Sequence, residues 1–118
     1  MKPALRAIQS YPWGWRTMWV IAMFDLPTDT PAARRAYARF RKDLLEDGFT
    51  MMQYSIYTRH CASIENADVH VRRMGAVVPA EGEVRFLTIT DKQFGRIRTY
   101  AGKKRQTPPP SPAQLEFF

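Results

Sequence analysis

The sequence is poor in the residues that support several common chemistries. Its 118 residues include one cysteine, Cys61, and two histidines, His60 and His70. A single cysteine excludes an internal disulfide and favours a reducing compartment. The histidines lack a metal-site spacing, Cys61 has no recognisable acidic or histidine partner, and no glycine-rich phosphate loop is present. These absences argue against a zinc site, a catalytic cysteine and a glycine-rich loop that binds nucleotide phosphates.

Long apolar runs are also missing. The longest run, Met18 to Phe24, falls well short of the roughly 20 residues that a membrane-spanning helix requires. Pro12, Gly14 and Arg16 interrupt the segment before it, and no small-residue cleavage site follows it. We therefore expect a cytoplasmic protein that does not contact a membrane.

Acidic residues are scarce relative to basic ones. Lys and Arg number 18 against 11 Asp and Glu, which gives a net charge of +7 and a pI near 10.0. Such an excess in a short chain favours a nucleic-acid partner over the alternative, a merely basic surface. Because the sequence has no base-reading motif and no stacking-aromatic RNA signature, we expect sequence-tolerant binding to phosphates.

Periodicity and turn signals predict one folded domain at residues 17–102, after an N-terminal extension at 1–16 and before a basic, proline-rich tail at 103–118. The predicted elements are a strand at 18–24, a helix at 31–47, two strands within 49–61, a helix after Ser63, a strand at 84–90, a helical turn, and a last short strand near Ile97–Tyr100. The order β-α-β-β-α-β is the ferredoxin-like split motif, an α+β fold with both helices on one face of the sheet.

Capping residues and apolar spacing define both long helices. Thr30 before Pro31 predicts the start of the first helix, and Gly48 predicts its end. The predicted core positions of the first helix are Ala33, Ala36, Tyr37, Phe40 and Leu44. Those of the second helix, capped by Ser63, are Ile64, Ala67, Val71 and Met74. His70 lies beside basic residues and is expected on a solvated face.

The first strand is apolar on both of its faces. Met18, Val20, Ala22 and Phe24 alternate with Trp19, Ile21 and Met23. Helices on one side of the sheet can bury only one of these rows. The other row would form an exposed apolar patch, so we expect a homodimer that packs through the sheet face.

Asp25 ends this strand and has two interpretations. Aspartate commonly begins turns such as "DLPT" through local hydrogen bonds. Alternatively, Asp25 is a Mg²⁺ ligand, because Mg²⁺ takes one or two carboxylates together with waters and substrate phosphates. A two-fold dimer would bring two copies of Asp25 together for attack on a phosphodiester. Asp91 is expected at the opposite end of the sheet, capping a short turn.

The first helix carries a cluster of basic residues: Arg34, Arg35, Arg39, Arg41 and Lys42. These are the predicted phosphate-binding residues. The alternative is a solvated helix face whose charge is partly balanced by Asp43 and Glu46.

The tail ends in "QLEFF", with Leu115, Phe117 and Phe118 following a proline-rich spacer. One interpretation is a frayed terminus. The other is a short partner-docking peptide that adds a strand to the edge of another protein's sheet.

Several blocks occur in an order that resembles a known family: "FDLPT", "RRAYARFRKDLLEDGFTMMQYSIYTRHC", "SIENADVHVRR" and "GEVRFLTITDKQFGRI". Over residues 17–102 the chain is similar to the small CRISPR-associated adaptation protein, the second of the two core spacer-acquisition proteins. The similarity is to the form found in type II systems. This family is also described as CRISPR-associated endoribonuclease.

The resemblance implies a ferredoxin-like homodimer that lies along duplex DNA and sits between two dimers of the CRISPR integrase. It also implies Mg²⁺-dependent endonuclease activity on RNA or DNA, with Asp25 as metal ligand and catalytic residue, and it favours "QLEFF" as an integrase-contacting peptide. Two functions therefore stay open. One is a DNA-binding scaffold for spacer acquisition, and the other is a stand-alone or toxin-like Mg²⁺-dependent endoribonuclease or endonuclease.

Overall fold

A computed structural model describes residues 17–102, so the predicted extension and tail lie outside the described residues. The elements are β1 (Met18–Asp25), α1 (Pro31–Glu46), β2 (Thr50–Gln53), β3 (Ile56–Cys61), α2 (Ile64–Gly75), β4 (Glu83–Thr90) and α3 (Asp91–Phe94). Within residues 17–102, no helix is long and apolar enough to cross a membrane.

The four strands form one antiparallel sheet in the order β2-β3-β1-β4. β1 is central, with Met18 opposite Cys61 of β3 and Thr90 of β4. This order and the two crossing helices confirm the predicted α+β ferredoxin-like fold.

The core lies between the sheet and helices α1 and α2. Phe40 and Leu44 of α1 and Met74 of α2 are buried with the inner row of β1. Phe24 of that row meets Phe40 edge-on, with ring centroids 5.4 Å apart, and it stacks against Tyr57 of β3 at 5.6 Å. Aromatic pairs of this geometry add to the stabilisation that burial provides.

The predicted helix ends are confirmed. The Thr30 hydroxyl accepts a hydrogen bond from the Ala33 backbone N–H at 3.0 Å, and Pro31 occupies the first helical position. The Ser63 hydroxyl caps α2 in the same way through Asn66. Gly48 follows α1 with a φ of 95°, a left-handed conformation that costs little in glycine.

Residues 49–61 form two strands, as predicted. Tyr54 and Ser55 make the turn between them, and Ser55 adopts a φ of 65°, which is uncommon for a residue with a side chain. The Ser55 carbonyl accepts a hydrogen bond from the Phe24 backbone N–H at 3.1 Å. The turn is therefore anchored beside the last residues of β1.

Two predictions about the periphery are wrong. Residues 97–100 form no strand, because their backbone makes no ladder with the sheet of the single chain. Ile64 is exposed rather than in the core, since it is the first residue of α2 and projects beyond the edge of the packed layer.

The prediction for His70 is also wrong. Its side chain is only 7% exposed, and its Nδ1 lies 2.7 Å from the equally buried Asp47 carboxylate. Arg73 of α2 binds the same carboxylate, and Arg59 Nε of β3 donates to the Asp47 backbone carbonyl at 2.7 Å. Asp47 thus connects the end of α1 to both α2 and β3.

Candidate metal and nucleic-acid sites

Asp25 is the last residue of β1, and it lies on the face of the sheet that the helices leave open. It follows Ile21 and Met23 in the outward-facing row, and its side chain is exposed. The same residue begins the loop that leads to α1, so its two predicted roles, in a turn and as a ligand, are compatible. The strand pairing puts Asp91 at the other end of β4, as predicted.

Glu83 is a second carboxylate at this end of the sheet, and the sequence interpretation missed it. It is the cross-strand partner of Asp25 in the β1–β4 pairing. Residues directly opposite each other project from the same face, with Cβ atoms about 5 Å apart. Glu83 also forms an ion pair with Arg85 on its own strand at 2.9 Å. The predicted antiparallel pairing of the first and fourth strands was the signal that could have located it.

The oxygen atoms of Asp25 and Glu83 are of the kind that Mg²⁺ prefers. Among residues 17–102, no group of three or more His, Cys, Asp or Glu side chains gathers at one point. A Mg²⁺ ion commonly uses only one or two carboxylates, with waters and phosphate oxygens completing its coordination. The carboxylates of Asp25 and Glu83 are therefore enough for a Mg²⁺ ion whose remaining ligands come from water and a phosphodiester.

The open face of the sheet is apolar around its centre. Ile21 and Met23 of β1 project from it together with Ile56 of β3 and Leu87 and Ile89 of β4. Leu87 is 47% exposed, a large fraction for a leucine in the body of a strand. No helix within residues 17–102 covers this central part, which we call the open patch.

Helix α3 covers only one end of the open face. Phe94 stacks on Trp19 with ring centroids 3.8 Å apart, and Trp19 Nε1 donates to the Asp91 carboxylate at 2.6 Å. Asp91 is therefore not the cap that the sequence suggested. Thr90 is the N-cap of α3. Its hydroxyl accepts a hydrogen bond from the Gln93 backbone N–H, and the Gln93 side-chain carbonyl accepts one from the Thr90 backbone N–H. Asp91 is the first helical residue.

The predicted phosphate-binding residues are all exposed on α1, the helix on the other side of the sheet from the open patch. Arg34 donates to the Thr28 carbonyl at 3.0 Å, and Arg41 Nε donates to the Tyr57 hydroxyl at 2.7 Å. Both of these partners are neutral. Lys42 is 4.0 Å from Glu46. Arg35 and Arg39 have no ion pair within residues 17–102.

Asp25 and the α1 cations thus lie on opposite layers of the domain. The structure brings Asp25 together with Glu83 and not with any of the predicted phosphate-binding residues. The predicted docking residues Leu115, Phe117 and Phe118 lie outside the described residues.

Comparison with known proteins agrees with this fold. The family model described as CRISPR associated protein Cas2 matches residues 18–97, more than half of the chain. The chain belongs to the Cas2 family. It is 82% identical over 101 residues to "CRISPR-associated endoribonuclease Cas2" of Parvibaculum lavamentivorans, a match that covers 86% of this chain and 100% of that protein. A protein of the same name from Flavobacterium psychrophilum is 49% identical over 105 residues, 88% of this chain and 90% of the relative.

A solved structure shows the same family fold. The crystal structure of Streptococcus pyogenes Cas2 at pH 6.5 superposes with a TM-score of 0.52 and 22% sequence identity. The match covers 70% of this chain and 99% of that one. At this level of identity the likeness supports the Cas2 fold and carries no residue-level conclusion.

Proposed function

We propose that this Cas2-family protein acts in CRISPR spacer acquisition as a homodimeric scaffold that binds duplex DNA and bridges two integrase dimers. The observation that carries the proposal is the set of exposed α1 arginines, none of which pairs with a carboxylate within residues 17–102. Exposed guanidinium groups that no carboxylate neutralises suit a phosphate backbone, and they bind it without reading bases.

The open patch supports the homodimer. Contiguous apolar surface of this kind is rare on monomers and marks an interaction site. A second copy of the chain offers a matching apolar surface, because a two-fold interface pairs the same patch from each subunit. In this arrangement the α1 helices of both subunits point away from the interface and stay available to DNA.

The DNA-binding proposal is tested with the double variant Arg35→Gln/Arg39→Gln. We expect weaker binding to duplexes of any sequence. The slope of log K against log salt should fall in magnitude by about 0.9 for each phosphate contact removed. Arg72→Gln is the matched control, because Arg72 is an exposed helix arginine already paired with Asp68. Unchanged affinity and salt slope in the double variant would overturn the assignment of α1 as the DNA-binding surface.

A second candidate function, Mg²⁺-dependent endonuclease activity, is favoured by Asp25 and by the naming of the relatives as endoribonucleases. In it Asp25 holds the ion, and Glu83 is placed to contribute on the same face. A bound Mg²⁺ would stabilise negative charge on a phosphodiester and activate a water for attack. The exposure of Asp25 leaves room for an RNA or DNA strand.

Asp25→Asn separates the two functions. The variant should lose Mg²⁺-dependent cleavage by the purified protein and retain its fold and duplex affinity, with Glu65→Gln as an exposed-carboxylate control on α2. Spacer acquisition that persists in Asp25→Asn supports the scaffold. If Asp25→Asn loses both spacer acquisition and cleavage by the purified protein, the result supports the stand-alone endoribonuclease or endonuclease instead.

We also propose that Leu115, Phe117 and Phe118 dock on the integrase. Co-purification with the cognate integrase, with and without residues 106–118, is the test. Loss of the complex on truncation supports docking, and an unchanged complex removes it.

A further inference from the structure

Tyr54 is an exposed aromatic residue that neither proposed function uses. It lies in the turn between β2 and β3, and its side chain is 76% exposed. A lone exposed apolar residue is ordinary on a protein surface and needs no explanation. Tyr54 differs from such a residue because the fold fixes the position of its ring and because two arginines lie close to the residue on which it stacks.

The fold fixes Tyr54 from two sides. The Ser55 carbonyl accepts a hydrogen bond from the Phe24 backbone N–H at 3.1 Å, which ties the turn to β1. The Tyr54 ring stacks against Tyr37 of α1, with ring centroids 6.3 Å apart and planes inclined by 26°. Tyr37 in turn meets Phe24 edge-on at 5.9 Å, so the core supports the exposed ring. A ring that is already ordered loses little conformational entropy when it binds a ligand.

The open part of the Tyr54 ring is flat and uncharged. Within residues 17–102 its one ring contact is with Tyr37, which can cover only a single face. The other face is available to a ligand, in keeping with the high exposure of the side chain. Hydrogen bonding with Tyr37 raises the pKa of Tyr54, so the phenol stays neutral and does not repel a phosphate. Nucleic-acid bases stack on aromatic surfaces of this kind whatever their sequence.

Two arginines flank Tyr37 along α1. Arg34 is three residues before Tyr37 and Arg41 is four residues after it, and side chains at these spacings share one face of a helix. The seven residues between the arginines correspond to about 10 Å along the helix axis. Both arginines are exposed, and within residues 17–102 each donates to a neutral group and pairs with no carboxylate. Their positive charges are therefore available on either side of the stacked tyrosines.

We propose that Tyr54 stacks an unpaired base of a nucleic-acid strand whose neighbouring phosphates bind Arg34 and Arg41. Cations that follow the backbone and aromatic rings that stack the bases are the two components of a single-strand site. Bases inside a duplex are already stacked on both faces, so the ligand is a single strand or the unpaired end of a duplex. The inference rests on the proposed binding of phosphates by α1, and it adds a preference that a duplex-binding scaffold does not require.

Tyr54→Leu in the full chain tests the proposal, with oligo(dT), oligo(U) and a blunt duplex of equal length as probes. Because stacking of one base is lost, the variant should bind a single strand about five- to a hundredfold more weakly and the duplex equally well. Tyr54→Phe keeps the ring and should bind like the parent chain. Tyr100→Leu is the matched control, since Tyr100 is 83% exposed and lies beyond α3. The strand with the larger loss identifies the ligand as DNA or RNA.

The result can be separated from the proposed function. Duplex affinity reports on the α1 cations, and Arg35→Gln/Arg39→Gln changes it without altering Tyr54. The difference in affinity between a single strand and the duplex reports on Tyr54. If Tyr54→Leu binds both single strands as tightly as the parent chain does, the proposal is overturned even where duplex binding is intact.

Photochemical cross-linking gives a second, direct test. On irradiation, a 5-iodouracil base in a single strand forms a covalent bond to an aromatic ring on which it stacks, with loss of hydrogen iodide. We expect mass spectrometry of the digested full chain to find this cross-link at Tyr54. Cross-linking at Tyr100 alone, or in equal yield at both tyrosines, would contradict the stacking site.

Discussion

The two faces of β1 have the same apolar character and different surroundings. The inner row, Met18, Val20, Ala22 and Phe24, is 0–7% exposed because α1 and α2 cover it. The outer row, Trp19, Ile21 and Met23, is only half-buried, and within residues 17–102 a helix, α3, covers Trp19 alone. The difference shows that the helices of the chain bury one face of β1 and leave the other open, and it is this open face that the proposed homodimer would cover.

The largest effect on stability is expected on the face of the sheet that α1 and α2 cover, which we call the closed face. Phe24→Ala removes a ring that packs against Phe40 and Tyr57, so it should lower the free energy of unfolding by about 3–5 kcal/mol. Met23→Ala, the neighbouring residue on the open face, is the control and should cost under about 1 kcal/mol. Urea denaturation measures both. Equal losses would show that the two faces are equally packed.

The next largest effect on stability is expected at the contacts of Asp47 with His70 and Arg73. Asp47→Ala should cost about 1–3 kcal/mol, because it leaves the His70 ring buried without its hydrogen-bond partner. Arg73→Ala removes the solvent-exposed side of the same cluster and should cost under about 1 kcal/mol. Thermal denaturation of the two variants at pH 7 makes the comparison. A larger loss in the Arg73 variant would contradict the assignment of the buried pair as the main contact.

A smaller effect on stability is expected at Trp19, where α3 covers one end of the open face. Trp19→Phe keeps an aromatic ring next to Phe94 and removes the hydrogen bond to Asp91, at a cost of about 1 kcal/mol. Urea denaturation of the variant measures this cost. Trp19→Phe in an Asp91→Ala background, which lacks the acceptor, should cost less, and the same cost in both backgrounds would show that the hydrogen bond does not contribute.

The smallest effect on the fold is expected at the open patch itself. Leu87→Glu should change the free energy of unfolding of the single chain by no more than about 0.5 kcal/mol, since the side chain is already exposed. In the proposed homodimer the same change would bury a charge in the interface, so light scattering should show a monomer where the parent chain is a dimer. Val69→Glu, an exposed apolar position on α2, is the control and should stay dimeric.

Local signals in the sequence predicted most of the fold. Thr30, Pro31, Ser63 and Gly48 fixed the ends of the helices, since capping depends on residues within a few positions of each other. Alternation along β1 predicted both apolar rows. The position of Asp25 at the end of that strand, and its distance from Asp91, followed from the predicted strand order.

The errors fall where distant segments meet. His70 looked like a solvated residue because its sequence neighbours are basic, and its partner Asp47 is 23 positions away. Glu83 was overlooked as a neighbour of Asp25 for the same reason. The segment near Ile97–Tyr100 has strand-forming residues, but none of the strands within residues 17–102 pairs with it.

The sequence by itself determined the element order, the helix caps, the double apolar character of β1 and the excess of positive charge, because these depend on residue type and short-range spacing. Only the tertiary structure decided which apolar row is covered, that Asp47 and His70 pair, that Glu83 faces Asp25, and that the α1 cations lie on the opposite layer. Each of these is a contact between segments far apart in the chain, and such contacts are set by packing and strand pairing.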